Sequence, residues 1–217
     1  MTRKYILALL IVGLFAGSDI GLLYVGGAAW SKIILGPSND SHARLSDKVQ
    51  ITFFDHQATD VNQTLISQGW KPDCQTSCHG IHYDYDTHNK ITNNGVGFLQ
   101  DQTLGTTPSA TAYANWIALT TDTAIPAYTD TACTSEITTN GLQRAAGTLV
   151  KGTPAAGSSV STNTKTFTAT GTFTAVDKAC LFTASASGTL VADTLFSAVN
   201  MVNGDQLTIN WQITITY

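Results

Sequence analysis

The clearest order in this chain is a strict two-residue alternation near its C-terminus. From Gln206 to Tyr217, Leu207, Ile209, Trp211, Ile213, Ile215 and Tyr217 alternate with Gln206, Thr208, Asn210, Gln212, Thr214 and Thr216. Alternation of this kind turns one side of a strand toward a core and the other toward water. Thr166 to Ala175 has the same pattern, with Phe167, Ala169, Gly171, Phe173 and Ala175 on one side and threonines on the other. Lys48–Phe54, Tyr113–Leu119, Gly141–Val150, Ala179–Ala184 and Leu190–Val199 predict further strands. Asn140-Gly141, Ser187-Gly188 and Asn203-Gly204-Asp205 supply the turns, and Gly152 to Ser161 reads as a loop. Between Asp55 and Trp70, Val61, Leu65 and Ile66 suggest a short helix, and residues 71–95 read as a long irregular loop. Short strands with regular turns predict an all-β fold, an antiparallel β-sandwich of jelly-roll-like type.

The first residues follow another pattern. Arg3-Lys4 precede an apolar run from Tyr5 to Gly17, and a second run, Ile20 to Ala29, follows Ser18-Asp19. This matches an export signal, with Ala16-Gly17-Ser18 and Gly26-Gly27-Ala28 as small-residue cleavage sites. Tyr5 to Ala29 is also long enough for a retained membrane anchor or assembly helix, in which Asp19 would cost roughly 2.5–3.5 kcal/mol at the bilayer centre. Three segments result: 1–29, a signal peptide or apolar helix; 30–95, a linker around Gly36-Pro37, a strand and a Cys/His-rich loop; and 96–217, the sandwich. Both readings of the first segment place the rest outside the cytoplasm, at an extracellular, cell-surface or virion location. Asn39-Asp40-Ser41 and Asn62-Gln63-Thr64 are glycosylation sequons that suit a glycoprotein.

Composition narrows the function. Hydrophobic residues form 43% of the 217, enough for a core, while charged residues form only 12% and Glu136 is the single glutamate. Abundant threonine with so little Lys and Glu favours strands over surface helices. No basic cluster lies beyond Arg3-Lys4, which argues against a nucleic-acid partner. The nucleophile-elbow, P-loop, dinucleotide and HExxH patterns are all missing, so the chain reads as non-enzymatic, with His56 and His88 as the general acid/base candidates that spatial convergence leaves open.

The four cysteines define two candidate sites. Cys133 and Cys180, if joined, close a loop of roughly 47 residues, worth about 3–4 kcal/mol on a chain-entropy basis. Sequence alone does not fix the pairing, and two buried thiols are the rival. Cys74 and Cys78 sit in a segment with His79, His82 and His88. Three readings compete there: a local disulfide with no cofactor; a metal ion on the two thiolates and two of the histidines; and covalent haem. Haem would use a C-x-x-x-C-H spacing, one residue longer than the usual motif, with His79 as axial ligand in an electron-transfer protein. Asp84, Asp86 and Asn89 could bind Ca²⁺, although the EF-hand pattern is not met.

Residues 96–217 carry Trp116-Ile117-Ala118-Leu119, Asp130-Thr131, Glu136-Ile137 and Gly141-Leu142-Gln143-Arg144-Ala145. Phe167-Thr168-Ala169-Thr170-Gly171, Leu181-Phe182, Asn203-Gly204-Asp205-Gln206-Leu207 and Ile209-Asn210-Trp211-Gln212-Ile213-Thr214 follow. In this texture the segment resembles β-rich structural proteins of tailed-phage virions and archaeal surfaces. The resemblance implies a self-assembling or surface-associated structural module and carries no catalytic residues. Cys180 stands where that pattern has glycine, a change that fits an added crosslink to Cys133. The expected role is an extracellular structural subunit of a filament, surface layer or virion, bound to a membrane through the first segment if that is not cleaved. The alternative is a tethered or secreted adhesin that meets glycan or protein through its loops or through Trp70, Tyr83 and Tyr85.

Overall fold

The computed structural model describes residues 22–24, 30–32, 44–74, 79–104, 113–154 and 158–216. The chain forms two compact units, Met1–His42 and Ala43–Tyr217. In the first, β1 (Leu22–Tyr24) and β2 (Trp30–Lys32) pair as an antiparallel hairpin, with Leu22 opposite Lys32. Part of the segment expected as a signal or helix is therefore a strand; Tyr5 to Gly17 and Asn39 lie outside the described residues. Among the described residues no helix is long and apolar enough to cross a membrane.

The second unit is an all-β sandwich of two antiparallel sheets. One has the order β4 (Lys71–Pro72), β5 (Ile81–Thr87), β3 (Arg44–Asp55), β13 (Gln206–Thr216), β10 (Ser158–Thr168), β9 (Thr148–Val150). The other runs β6 (Lys90–Ile91), β12 (Leu190–Met201), β11 (Phe173–Phe182), β7 (Trp116–Thr120), β8 (Ala145–Ala146). Among the described residues the helices are α1 (Gln63–Ser67) and α2 (Asn93–Leu104). Asn62 caps α1, its Oδ1 accepting from the backbone N–H groups of Thr64 and Leu65. Thr92 precedes α2; its Oγ1 accepts from the Gly95 N–H and donates to the Leu190 carbonyl, fixing the helix to β12.

The alternation of β13 sets the sandwich. Leu207, Ile209 and Trp211 are buried, and their register partners on β3, Phe53, Ile51 and Val49, are buried with them. They join Phe167 of β10 and, from the opposing sheet, Ile117, Leu119, Leu181 and Val199 in one core. Each of the larger side chains contributes about 1.5–3 kcal/mol by leaving water.

Several expectations change. Residues 71–95 are not an irregular loop but contain β4, β5, β6 and the start of α2. In β5, Ile81 and Tyr83 are buried while His82, Asp84 and Asp86 are exposed. β5 pairs with β3 along its length, so the sandwich begins near residue 43, not at 96. Thr166–Ala175 is two strand ends joined by a turn. The alternation runs straight through a corner where the Asn140-Gly141 turn packs, with the Thr170 N–H donating to the Asn140 carbonyl. Gly141–Val150 is likewise two short strands in different sheets, β8 and β9. The chain crosses between them at Gly147, where a Cβ would lie 2.1 Å from Asn163 Oδ1.

Candidate functional site

A long excursion on the sandwich, residues 121–144 between β7 and β8, folds over the outer side of the five-stranded sheet. This cover explains a feature of β11 that alternation could not foretell: every residue from Val176 to Phe182 is buried. Val176, Ala179 and Leu181 face the main core. On the other side Cys180 and Phe182 pack with Ala118, Leu190 and Cys133 of the cover. Cys133 and Cys180 form a disulfide with their Cα atoms 6.1 Å apart.

One limb of the cover is stitched like an extra strand. The Ile137 N–H donates to the Leu119 carbonyl, and Thr120 Oγ1 donates to the Thr134 and Ser135 carbonyls. Arg144 holds Glu136 through two nitrogens, donates to the Ala184 carbonyl at 3.2 Å, and lies 3.6 Å above the Phe182 ring. The other limb is held by polar groups. Lys178 of β11 donates to Asp122 at 2.7 Å, and that bond, with one from the Ala124 N–H, keeps the Asp122 carboxyl below its ordinary range. Burial pushes Asp193 of β12 up to about 7, with the neighbouring Asp130 carboxylate adding to the effect. Burial also raises Asp177.

The second feature is the outer face of the six-stranded sheet, which no element of this unit covers among the described residues. Across β3, β13 and β10, Thr52, Thr208 and Thr166 stand in one row, Gln50, Asn210 and Thr164 in the next, and Lys48, Gln212 and Thr162 in a third. Within rows Thr166 bonds Thr208 at 2.8 Å and Thr164 bonds Asn210 at 3.0 Å, and Gln212 Nε2 donates to Gln50 of the neighbouring row at 3.0 Å. On β5, Asp84 accepts from Thr52 at 2.8 Å and Asp86 pairs with Lys48 at 3.0 Å. The result is a flat field of hydroxyls and amides edged by carboxylates. Its signal was the polar half of the strand alternation, which predicts a wet face without saying that it stays open.

The residues singled out in the sequence scatter. Cys74 is disulfide-bonded, and Cys78 lies outside the described residues. In that state Cys74 offers neither a thiolate to a metal nor a thiol to haem. His79 is exposed, and His82 stacks on Phe54 with ring centroids 4.4 Å apart. His88, exposed, follows the far end of β5, six residues from His82 and therefore about 20 Å away along an extended strand. The two do not converge on one ion. Among the described residues no group of three or more His, Cys, Asp or Glu is placed to hold a metal. Asp84 and Asp86 have the strand partners just given.

Trp70 and Tyr83 are not a binding surface but core, 1% and 0% exposed. Trp70 Nε1 donates to the Ser197 carbonyl, and the Tyr83 hydroxyl accepts from the Asn62 N–H. Tyr85 is half-buried against Trp70. His56 bonds Asp205 through its ring Nδ1 at 2.8 Å and its backbone N–H at 3.1 Å, while the other Asp205 oxygen accepts from the Val202 N–H. The pair ties the end of β3 to the β12–β13 turn. Asn62 is exposed, and its cap uses Oδ1, not the Nδ2 that a glycan would join. It stands beside a shallow polar cavity of about 130 Å³ lined by Asp55, Thr64, Gln68 and Asn200 over Phe53 and Leu65.

Comparison of the chain with family models, with curated proteins and with solved structures finds no match.

Proposed function

We propose that this chain is a non-enzymatic extracellular structural subunit, of a filament, surface layer or virion, built on a disulfide-stapled sandwich. The observation that carries the proposal is the Cys133–Cys180 bridge. It binds the 121–144 excursion to the central strand β11, and such bonds persist in oxidising compartments. No cysteine is free among the described residues. The threonine-rich, weakly charged body and the apolar N-terminal sequence support the same location. Glycosylation at Asn62 and Asn39 and self-assembly through the N-terminal segment belong to this proposal. Intact mass after alkylation of the native protein tests it. Material from the cell exterior or from particles, with all four cysteines resisting alkylation until reduced, is the expected result. A cytoplasmic protein carrying four alkylated thiols would overturn it.

A second reading, a surface adhesin, is favoured by the open hydroxyl and amide face of the six-stranded sheet. Binding to a glycan array that is lost when Thr166 and Thr208 are both changed to valine would establish it. Absence of any binding would leave the structural reading alone.

A further inference from the structure

Lys178 of β11 is buried on the side of the five-stranded sheet that the cover hides, the side it shares with Cys180. Its Nζ lies 2.7 Å from Asp122 Oδ2, and the two side chains are 4% and 21% exposed. The other groups placed around it are acids. Leu195 is the register partner of Lys178, and Asp193 that of Cys180. Asp193 therefore stands diagonally beside Lys178 on the same side of the sheet, within reach of so long a side chain. Asp177 occupies the register shift just before Lys178. Both Asp177 and Asp193 are buried, and Oδ1 of each meets no hydrogen-bond donor. Three carboxylates around one buried ammonium is more negative charge than so dry a place holds. A neutral acid beside the Lys178–Asp122 pair follows from that placement, and burial raises both Asp177 and Asp193.

We propose that Lys178 and Asp122 condense to an isopeptide bond, a second covalent tie between the cover and β11, with the Asp193 carboxyl as proton relay. An amine and a carboxyl held in contact react as one molecule, without the entropy cost of meeting, and a site closed to bulk water favours loss of water from them. Within the pair the ammonium first passes a proton to the carboxylate. The neutral Nζ then attacks Cγ of Asp122, forming the C–N bond, and one C–O bond breaks. The oxygen leaves as water with the two protons that the nitrogen gives up. Asp193 in its acid form lends a proton to the departing oxygen and regains one from the nitrogen. No oxidant or reductant enters, so the bond does not rest on the compartment proposed above. It fixes the exposed limb that carries Ile125 and Tyr128 at both ends, at Asp122 and at Cys133. The ion pair is the state that precedes the bond, and titration and unfolding before maturation are those of the ion-paired chain.

Peptide mapping of the full chain by mass spectrometry, after folding, long incubation, reduction and alkylation, tests this. The expected product is a branched peptide that joins the segments of Asp122 and Lys178 and is lighter than their sum by one water. Asp122→Asn is expected to give the same branch with loss of ammonia, since its amide offers the same carbon. Lys178→Arg and Asp122→Ala are expected to give linear peptides only. Asp193→Asn is expected to slow the bond roughly a hundredfold, the scale of a lost general acid, and Asp193→Glu to restore it. A map without reduction that recovers Cys133–Cys180 identifies the variants that fold, and Asp193→Ser takes the place of Asp193→Asn if that variant does not. Wild-type Asp122 and Lys178 recovered only in linear peptides of full mass overturn the bond, a result that needs no variant. A branch that forms as fast without the Asp193 carboxyl overturns the relay.

Discussion

Replacing both Cys133 and Cys180 by alanine removes a crosslink between positions 47 residues apart. The chain-entropy relation gives about 4 kcal/mol for a loop of that size, because the reduced unfolded chain regains the freedom that the bridge denied it. Both cysteines are also packed, at 8% and 0% exposure, against Ala118, Phe182 and Leu190. Loss of two buried sulfurs adds about 1 kcal/mol of cavity cost. The expected total, about 4–5 kcal/mol, corresponds to a fall in Tm of roughly 10–15 °C for a unit of this size. Urea unfolding followed by tryptophan fluorescence reads it directly, since Trp211 and Trp70 are buried in the core. The midpoint should drop, and m should rise slightly as the unfolded state expands. Wild type in a reductant strong enough to open the bridge should lose at least as much stability as the variant, since the Cys74 disulfide opens with it. A loss below about 1 kcal/mol would refute the reasoning, showing that the cover is not ordered by its tether.

Other perturbations have defined outcomes. The raised Asp193 carboxyl contributes stability that is fully present below about pH 4 and is lost as pH climbs to about 7, whereas Asp122, held low by Lys178, contributes stability lost only on acidification below its ordinary value. The urea midpoint should therefore fall between pH 5 and pH 8 by about 3 kcal/mol equivalent, and Asp193→Asn should abolish that fall. Arg144→Ala strands the half-buried Glu136 and removes the cation over Phe182, for a loss of about 2–3 kcal/mol in the same assay. Gly141→Ala places a Cβ 1.9 Å from the Thr168 carbonyl oxygen at φ +84°, so a loss of at least about 2 kcal/mol is expected, against less than about 0.5 kcal/mol for Thr166→Val on the open face.

What could be read in the sequence follows from which residues have only one buried side. β13 has one wet face, so its polar and apolar residues alternate visibly. β11 has none, because the cover hides its second face; Asp177, Lys178 and Cys180 lie buried in a run that no periodicity marks. β5 does alternate, but its outward residues His82, Asp84 and Asp86 made the segment look like a ligand-rich loop. The sequence offers the Cys133–Cys180 pairing without fixing it, because at a separation of 47 residues spacing carries no geometry, and the structure has that bridge.

The proposed role makes this sandwich a building unit of an assembly outside the cell. Electron microscopy of the native source, with an immunolabel raised against the unit Ala43–Tyr217, is the decisive experiment. Label is expected at regular intervals along filaments, a surface lattice or particles. Label confined to the cytoplasm, or scattered singly over the envelope with no ordered structure beneath it, would contradict it.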